Sequence, residues 1–108
     1  MAQFRMAPMR SLAFGSIGAT YTPVGNPLSN VALITWFENV TDADIVLSFD
    51  GINDHLFFPA QSAKVVDISS DKNPNDSLGS SIGTYFHIKQ DSGAPTSGSF
   101  YISIGYAR

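Results

Sequence analysis

Cysteine is absent from the 108 residues, which excludes a disulfide framework, a thiolate metal centre and a thiol nucleophile. Stability therefore has to come from packing. Charge is also scarce: Asp, Glu, Lys and Arg make up 14% of the chain, against about 25% in ordinary soluble domains. The basic residues are Arg5, Arg10, Lys64, Lys72, Lys89 and Arg108, six in all and scattered, in a chain of net charge -3. Phosphate binding needs such side chains in clusters, so nucleic acid is not an expected partner. No run approaches the ~20 apolar residues that span a bilayer, and "MAQFRMAPMR" lacks the apolar stretch of a signal peptide. No membrane association is expected, and the site of synthesis is expected to be the cytoplasm. Sustained 3.6-residue periodicity is missing as well, so no long amphipathic helix is expected.

What the chain does have is alternation. In "DIVLSFD" the residues Ile45, Leu47 and Phe49 oppose Val46, Ser48 and Asp50. The C-terminal "SFYISIGYA" sets Phe100, Ile102, Ile104 and Tyr106 against Tyr101, Ser103, Gly105 and Ala107. "TYFHIKQ" points Phe86 and Ile88 inward, and "SAKVVDI" sets Ala63, Val65 and Asp67 against Lys64, Val66 and Ile68. "VALITWFE" is apolar on both faces, which predicts a central strand covered on two sides. "SLAFGSIGATYTPVG" reads as a strand bent near Gly15 or Gly18. "HLFFPA" is a strand that Pro59 stops or places at an edge, and Asp50-Gly51 is the signal of a two-residue hairpin turn. Turn residues recur roughly every 8 to 12 positions, the spacing of a sandwich or small barrel. The fold expected is all-β: an antiparallel β-sandwich, jelly-roll-like or a small barrel, over residues 11–108. Residues 1–10 have no period and read as an extended N-terminal arm.

With hydrophobic residues at 44% and few charges, apolar surface is left over, which hints at burial against neighbours and at a homo-oligomer. The arm carries Phe4, Met6 and Met9 together with Arg5 and Arg10, and these five residues are the candidate partner-binding set, ordering on an adjacent subunit.

Candidate chemistry is thin. Asp42, Asp44, Asp50 and Asp54, with Asn53 and His55 nearby, offer the oxygen ligands calcium takes. The spacing of an EF-hand is absent, however, and the first pair should lie at the opposite end of a strand from the second. Asp and Asn in such stretches more commonly shape turns. "GSSIG" matches the nucleophile elbow around Ser81, but that elbow sits between a strand and a helix of a parallel sheet. His55 and His87 lack the further ligands of a zinc site. Asn39 and Asn75 fit the glycosylation acceptor pattern. Trp36, Tyr21, Tyr85 and Tyr101 are either a sugar-binding platform or part of a core or subunit interface. No catalytic residue, cofactor or metal is expected.

The succession "RSLAFGSI", "NVTDADIVLSFDGINDHLFFPA", a polar loop, "GTYFHIKQ" and "SGSFYISIGYA" resembles a family of small virion structural proteins of tailed bacteriophages. "SFDGINDH" followed closely by "PA" carries most of the likeness. The resemblance implies a β-sandwich present in many copies, decorating the capsid or forming part of the neck or collar. Its implied partners are copies of itself and capsid, portal or neck proteins, its implied place is the virion, and its implied role is assembly without catalysis. The alternative is a module at a tail tip or fibre that recognises a host carbohydrate.

Overall fold

The structure of the protein is a computed structural model that describes residues 4–26, 28, 32–67 and 85–107. The described residues form strands β1 (Phe4–Met6), β2 (Arg10–Ala13), β3 (Thr22–Pro23), β4 (Ala32–Asn39), β5 (Ile45–Ser48), β6 (Leu56–Phe58), β7 (Ser62–Asp67), β8 (His87–Gln90) and β9 (Ser99–Ala107), with one 3-10 turn at Phe14–Ser16. Among them, no helix is long and apolar enough to cross a membrane. The loop 69–83, with Ser81 and Asn75, lies outside the described residues.

Two antiparallel sheets face each other. The first has the order β1-β9-β4-β7, with β2 also paired to β9, and the second the order β3-β8-β5-β6. β1 and β2 run along the same neighbour and act as one interrupted strand. Among the described residues each sheet then has four positions, and apart from the β5–β6 hairpin the chain crosses from one sheet to the other at each step, in the order of a jelly roll, two interlocked Greek keys. The expected all-β sandwich is what the chain forms.

The alternating residues explain the layers. Phe100, Ile102 and Ile104 of β9, Ile45 and Leu47 of β5, and Phe86 and Ile88 at β8 are all buried. Phe49 is only partly buried, packed against the core from its rim. Phe37 stands at the centre, with its ring centroid 5.8 Å from Phe58 and 5.5 Å from Phe86, both edge-on. Phe58 in turn meets Phe100 edge-on at 5.1 Å. Edge-to-face contacts suit the ring quadrupoles and add to the burial of each ring.

Several expectations are corrected. β4 is central in its sheet, but only one of its faces is covered. Thr35, Phe37 and Asn39 are buried, while Ile34 and Trp36 on the other face are half-buried and Glu38 is exposed. A two-layered sandwich has no third layer to cover the outer face. Ala32 is also buried because the register slips between Ala32 and Ile34, a bulge that returns the chain to the inner face one residue early. Asp50-Gly51 does not make a two-residue turn. Leu47 pairs with Leu56, so residues 49–55 form a longer loop in which Gly51 takes φ +77°.

The arm is not free. Phe4, Arg5 and Met6 pair with Ala107, Tyr106 and Gly105, and Arg10 to Ala13 pair with Ile102 to Ser99. Between Met6 and Arg10 the chain advances four residues while β9 advances three, a bulge at the point where Pro8 offers no N–H. Residues 4–6 and 10–13 are extended because the edge of β9 supplies the hydrogen bonds that an extended backbone needs. They are the outermost strand of their own sheet among the described residues.

Candidate interaction surfaces

The aspartates turn out to be fasteners. At one end of the sandwich the loops 40–44, 59–61 and 91–98 are stitched by a buried polar group. Asn39, 1% exposed, donates its amide hydrogens to the carbonyls of Ala43, Phe58 and Pro59 at 3.0, 3.1 and 3.1 Å. Its Oδ1 accepts from the Thr41 backbone N–H at 3.1 Å and from the Thr41 hydroxyl at 2.6 Å. An amide so enclosed is no glycosylation acceptor. Asp44 accepts the Ala60 N–H at 3.0 Å, and Gln61, whose φ is +59°, donates from Nε2 to the Thr41 carbonyl at 2.9 Å. Asp42 reaches across to the third loop, accepting from the Thr96 N–H at 2.7 Å, from the Thr96 hydroxyl and from the Ser97 N–H at 3.3 Å. Gly98 follows with φ +86°, and a Cβ there would overlap the Val40 carbonyl oxygen. Only glycine fits where these two loops cross.

At the other end of β5, Asp50 closes its own loop. It accepts from the N–H groups of Ile52 and Asn53 at 2.8 and 2.9 Å, from the Asn53 amide at 2.9 Å and from the Ser48 hydroxyl at 2.7 Å. The expectation that aspartates shape turns is met here, and the two pairs of acids do lie on opposite sides of β5. Asp54 does something the sequence did not indicate. It accepts from the Tyr21 hydroxyl and lies 3.5 Å from Lys89 Nζ, which sits 4.7 Å above the Tyr21 ring. Burial and the neighbouring Asp54 push the Tyr21 phenol well above its ordinary pKa of 10.

His55 and His87 both serve the same loop. His55 Nδ1 accepts the Phe49 N–H at 3.0 Å, which places any ring proton of the neutral form on Nε2. The His87 ring lies against Gly51, where a Cβ would come 3.3 Å from Nε2. Among the described residues, no group of three or more His, Asp or Glu is arranged to hold a metal ion.

Hydrogen bonds from Thr96 hold the Asp42 carboxyl below its ordinary value of 3.8, and those from Asn53 and Ile52 do the same for Asp50. Groups depressed in the folded state stabilise it fully above their unfolded pKa and lose that contribution as pH falls below it. The melting temperature is therefore expected to fall as pH drops from about 4 to about 2, and the fall should be shallower in Asp42→Asn and Asp50→Asn. Thermal melts followed by circular dichroism across that range check it, and identical slopes in wild type and variants would contradict it.

The proposed binding residues spread along one edge. Met6 is 50% exposed and Met9 61%, whereas Arg10 is committed within the chain, donating from its guanidinium to the Asn26 carbonyl and packing its stem over Gly25. Partial burial lowers the Arg10 pKa. Phe4 and Arg5 are held by backbone pairing in β1.

The four aromatics do not share one face. Tyr21 and Tyr85 belong with Lys89 and His87 of the second sheet. Trp36 and Tyr101 stand together on the outer face of the first. Trp36 pairs with Val65 on one side and Ser103 on the other, and Glu38 pairs with Tyr101. Met6, level with Gly105, continues that face toward Ile34. Trp36, Ile34, Val65, Tyr101 and Met6 thus form an apolar outer surface with Glu38 at its margin.

No family model matches this chain, and no curated protein matches it. Among solved structures, one from Bacillus endospore appendages, a novel family of disulfide-linked pili, superposes with a TM-score of 0.52 over 98% of this chain and 89% of its own, at 14% identity. The likeness is one of fold.

Proposed function

We propose that the protein is a non-enzymatic structural subunit, present in many copies on the particle of a tailed bacteriophage. Its place there is the capsid surface or the neck, where it holds copies of itself and capsid, portal or neck proteins. The observation that carries this reading is the outer face of the β1-β9-β4-β7 sheet, which presents Ile34, Trp36, Val65, Tyr101 and Met6 with Glu38 at the margin. An apolar sheet face of this kind, on a chain with few charges, is suited to burial against another protein surface. The jelly roll is used in viral capsids and in lectins, which supports the setting by analogy alone. The pilus-type protein of similar fold lends the same kind of support to a multi-copy role. That family is disulfide-linked, and this chain has no cysteine, so its residues join neighbours without disulfides.

A second reading rests on Trp36 and Tyr101 sharing that face with Glu38 and with Ser11, which pairs with Tyr101. Stacking rings beside hydrogen-bonding groups suit a sugar. The two readings differ in copy number. Quantitative mass spectrometry of purified particles should find the chain at dozens to hundreds of copies per particle, scaled to the major capsid protein. A handful of copies would favour the tail-tip carbohydrate module, and absence from particles would overturn both.

A further inference from the structure

Four edges bound the two sheets, and three of them are blunted in the ways that natural proteins use to stop strands adding. The β1–β2 edge is broken by the bulge at Pro8. β3 is two residues long and includes Pro23, and β6 is three residues long and runs into Pro59. The fourth edge is β7. It pairs without a break from Ile34↔Asp67 to Asn39↔Ser62, and among the described residues no strand lies beyond it.

β7 also lacks the usual guard. A lysine on an edge strand normally discourages pairing, but Lys64 is drawn back over the Phe58 ring, 5.7 Å from its centroid, on the sandwich side of the strand. Val65 on the outer face and Val66 on the inner are 54% and 39% exposed. Among the described residues the edge therefore offers backbone groups that no strand covers, flanked by β-branched side chains, which is the surface that an added strand pairs with.

We propose that β7 pairs with β7 of a second copy of this chain, antiparallel about a two-fold axis at Val65. Charge and length together select that register. Centring on Lys64 would set lysine directly opposite lysine, which is destabilising. Centring on Val66 leaves only residues 65–67 of the strand paired, whereas centring on Val65 pairs residues 63–67 and places Lys64 opposite Val66. Identical edges meeting on a two-fold form an isologous interface, the commonest closed assembly. The two first sheets then become one continuous sheet, and the outer apolar faces line up on the same side of it. This deepens the self-assembly reading and depends on it.

The test uses the full chain and its lack of cysteine. Directly opposed residues of an antiparallel pair lie about 4.5–5.5 Å apart at Cα, within the ~4.4–6.8 Å that a disulfide spans. Val65→Cys should give a covalent dimer as the main species on a non-reducing gel after mild oxidation. Ile52→Cys, at a position 80% exposed in the 49–55 loop, should not. Val65→Lys, which brings two lysines together on the axis, should weaken self-association at least tenfold by sedimentation while leaving the melting temperature unchanged. If the chain self-associates but Val65→Cys cross-links no better than Ile52→Cys, the β7 pairing is wrong and self-assembly stands. If the chain sediments as a monomer at every concentration, both fall.

Discussion

Replacing Asn39 by alanine should lower the melting temperature by more than about 8 °C. The side chain removed is buried and serves three carbonyls and one Thr41 side chain and backbone at once. The Ala43 carbonyl keeps the Thr41 hydroxyl and the Pro59 carbonyl keeps the Ser62 hydroxyl, but the Thr41 N–H and the Phe58 carbonyl lose the amide that served them, and each such group costs about 1–3 kcal/mol. The sum is at least about 2 kcal/mol, and in a domain of this size each kcal/mol moves the melting temperature by about 4–8 °C. Asn39→Asp should be no better, because it retains the acceptor for Thr41 but places a carboxylate against three carbonyl oxygens. Thr41→Val, which leaves the Asn39 amide and its three carbonyls intact, should lose less than Asn39→Ala. Thermal melts of the three variants check the order, and an Asn39→Ala protein within about 3 °C of wild type would show that the loops are held by other means.

Phe37→Ala is expected to be comparably severe, at about 3–5 kcal/mol. The ring is fully buried and has three aromatic neighbours, Phe49, Phe58 and Phe86. Phe37 belongs to the first sheet and these neighbours lie on β6 and at the ends of β5 and β8 in the second, so the cavity opens between the layers rather than at an edge, and neither sheet can collapse into it without breaking its own pairing. Phe37→Leu fills most of the space and should cost clearly less. Phe57, exposed on β6, provides the contrast: Phe57→Ala should stay within about 1 kcal/mol, since little area returns to water. Urea unfolding of the three variants measures this. Equal losses for Phe37→Ala and Phe57→Ala would mean that the core is not centred where the rings meet.

The strands were legible because period-two alternation is a local signal. Phe100, Ile102 and Ile104 are two apart in sequence, and so are Ile45 and Leu47, and all five are buried. The role of Asn39 was not legible. Within "NVTDAD" it looks like a turn residue, and part of its bonding, to Thr41, is indeed local. The rest goes to Phe58 and Pro59, 19 and 20 residues away, and only the crossing between sheets brings these close. The same limit hid the Tyr21–Asp54–Lys89 contact, whose members come from three separate segments. The pairing of Phe4 to Met6 was hidden for a different reason. The segment has no alternation of its own, and what orders its backbone is the open side of β9, at the other end of the sequence. The outer face of β4 was misread because apolar residues on both sides of a strand signal two coverings without saying whether the second lies in the same chain.

That last ambiguity gives the most direct test. Sedimentation equilibrium of the full chain over a hundredfold range of concentration should return a mass that rises to at least twice 11.6 kDa, as Trp36, Ile34, Val65 and the β7 edge find their coverings in other copies. A mass that stays at one chain throughout would mean that this surface is content in water, and adhesion between copies could not be its purpose.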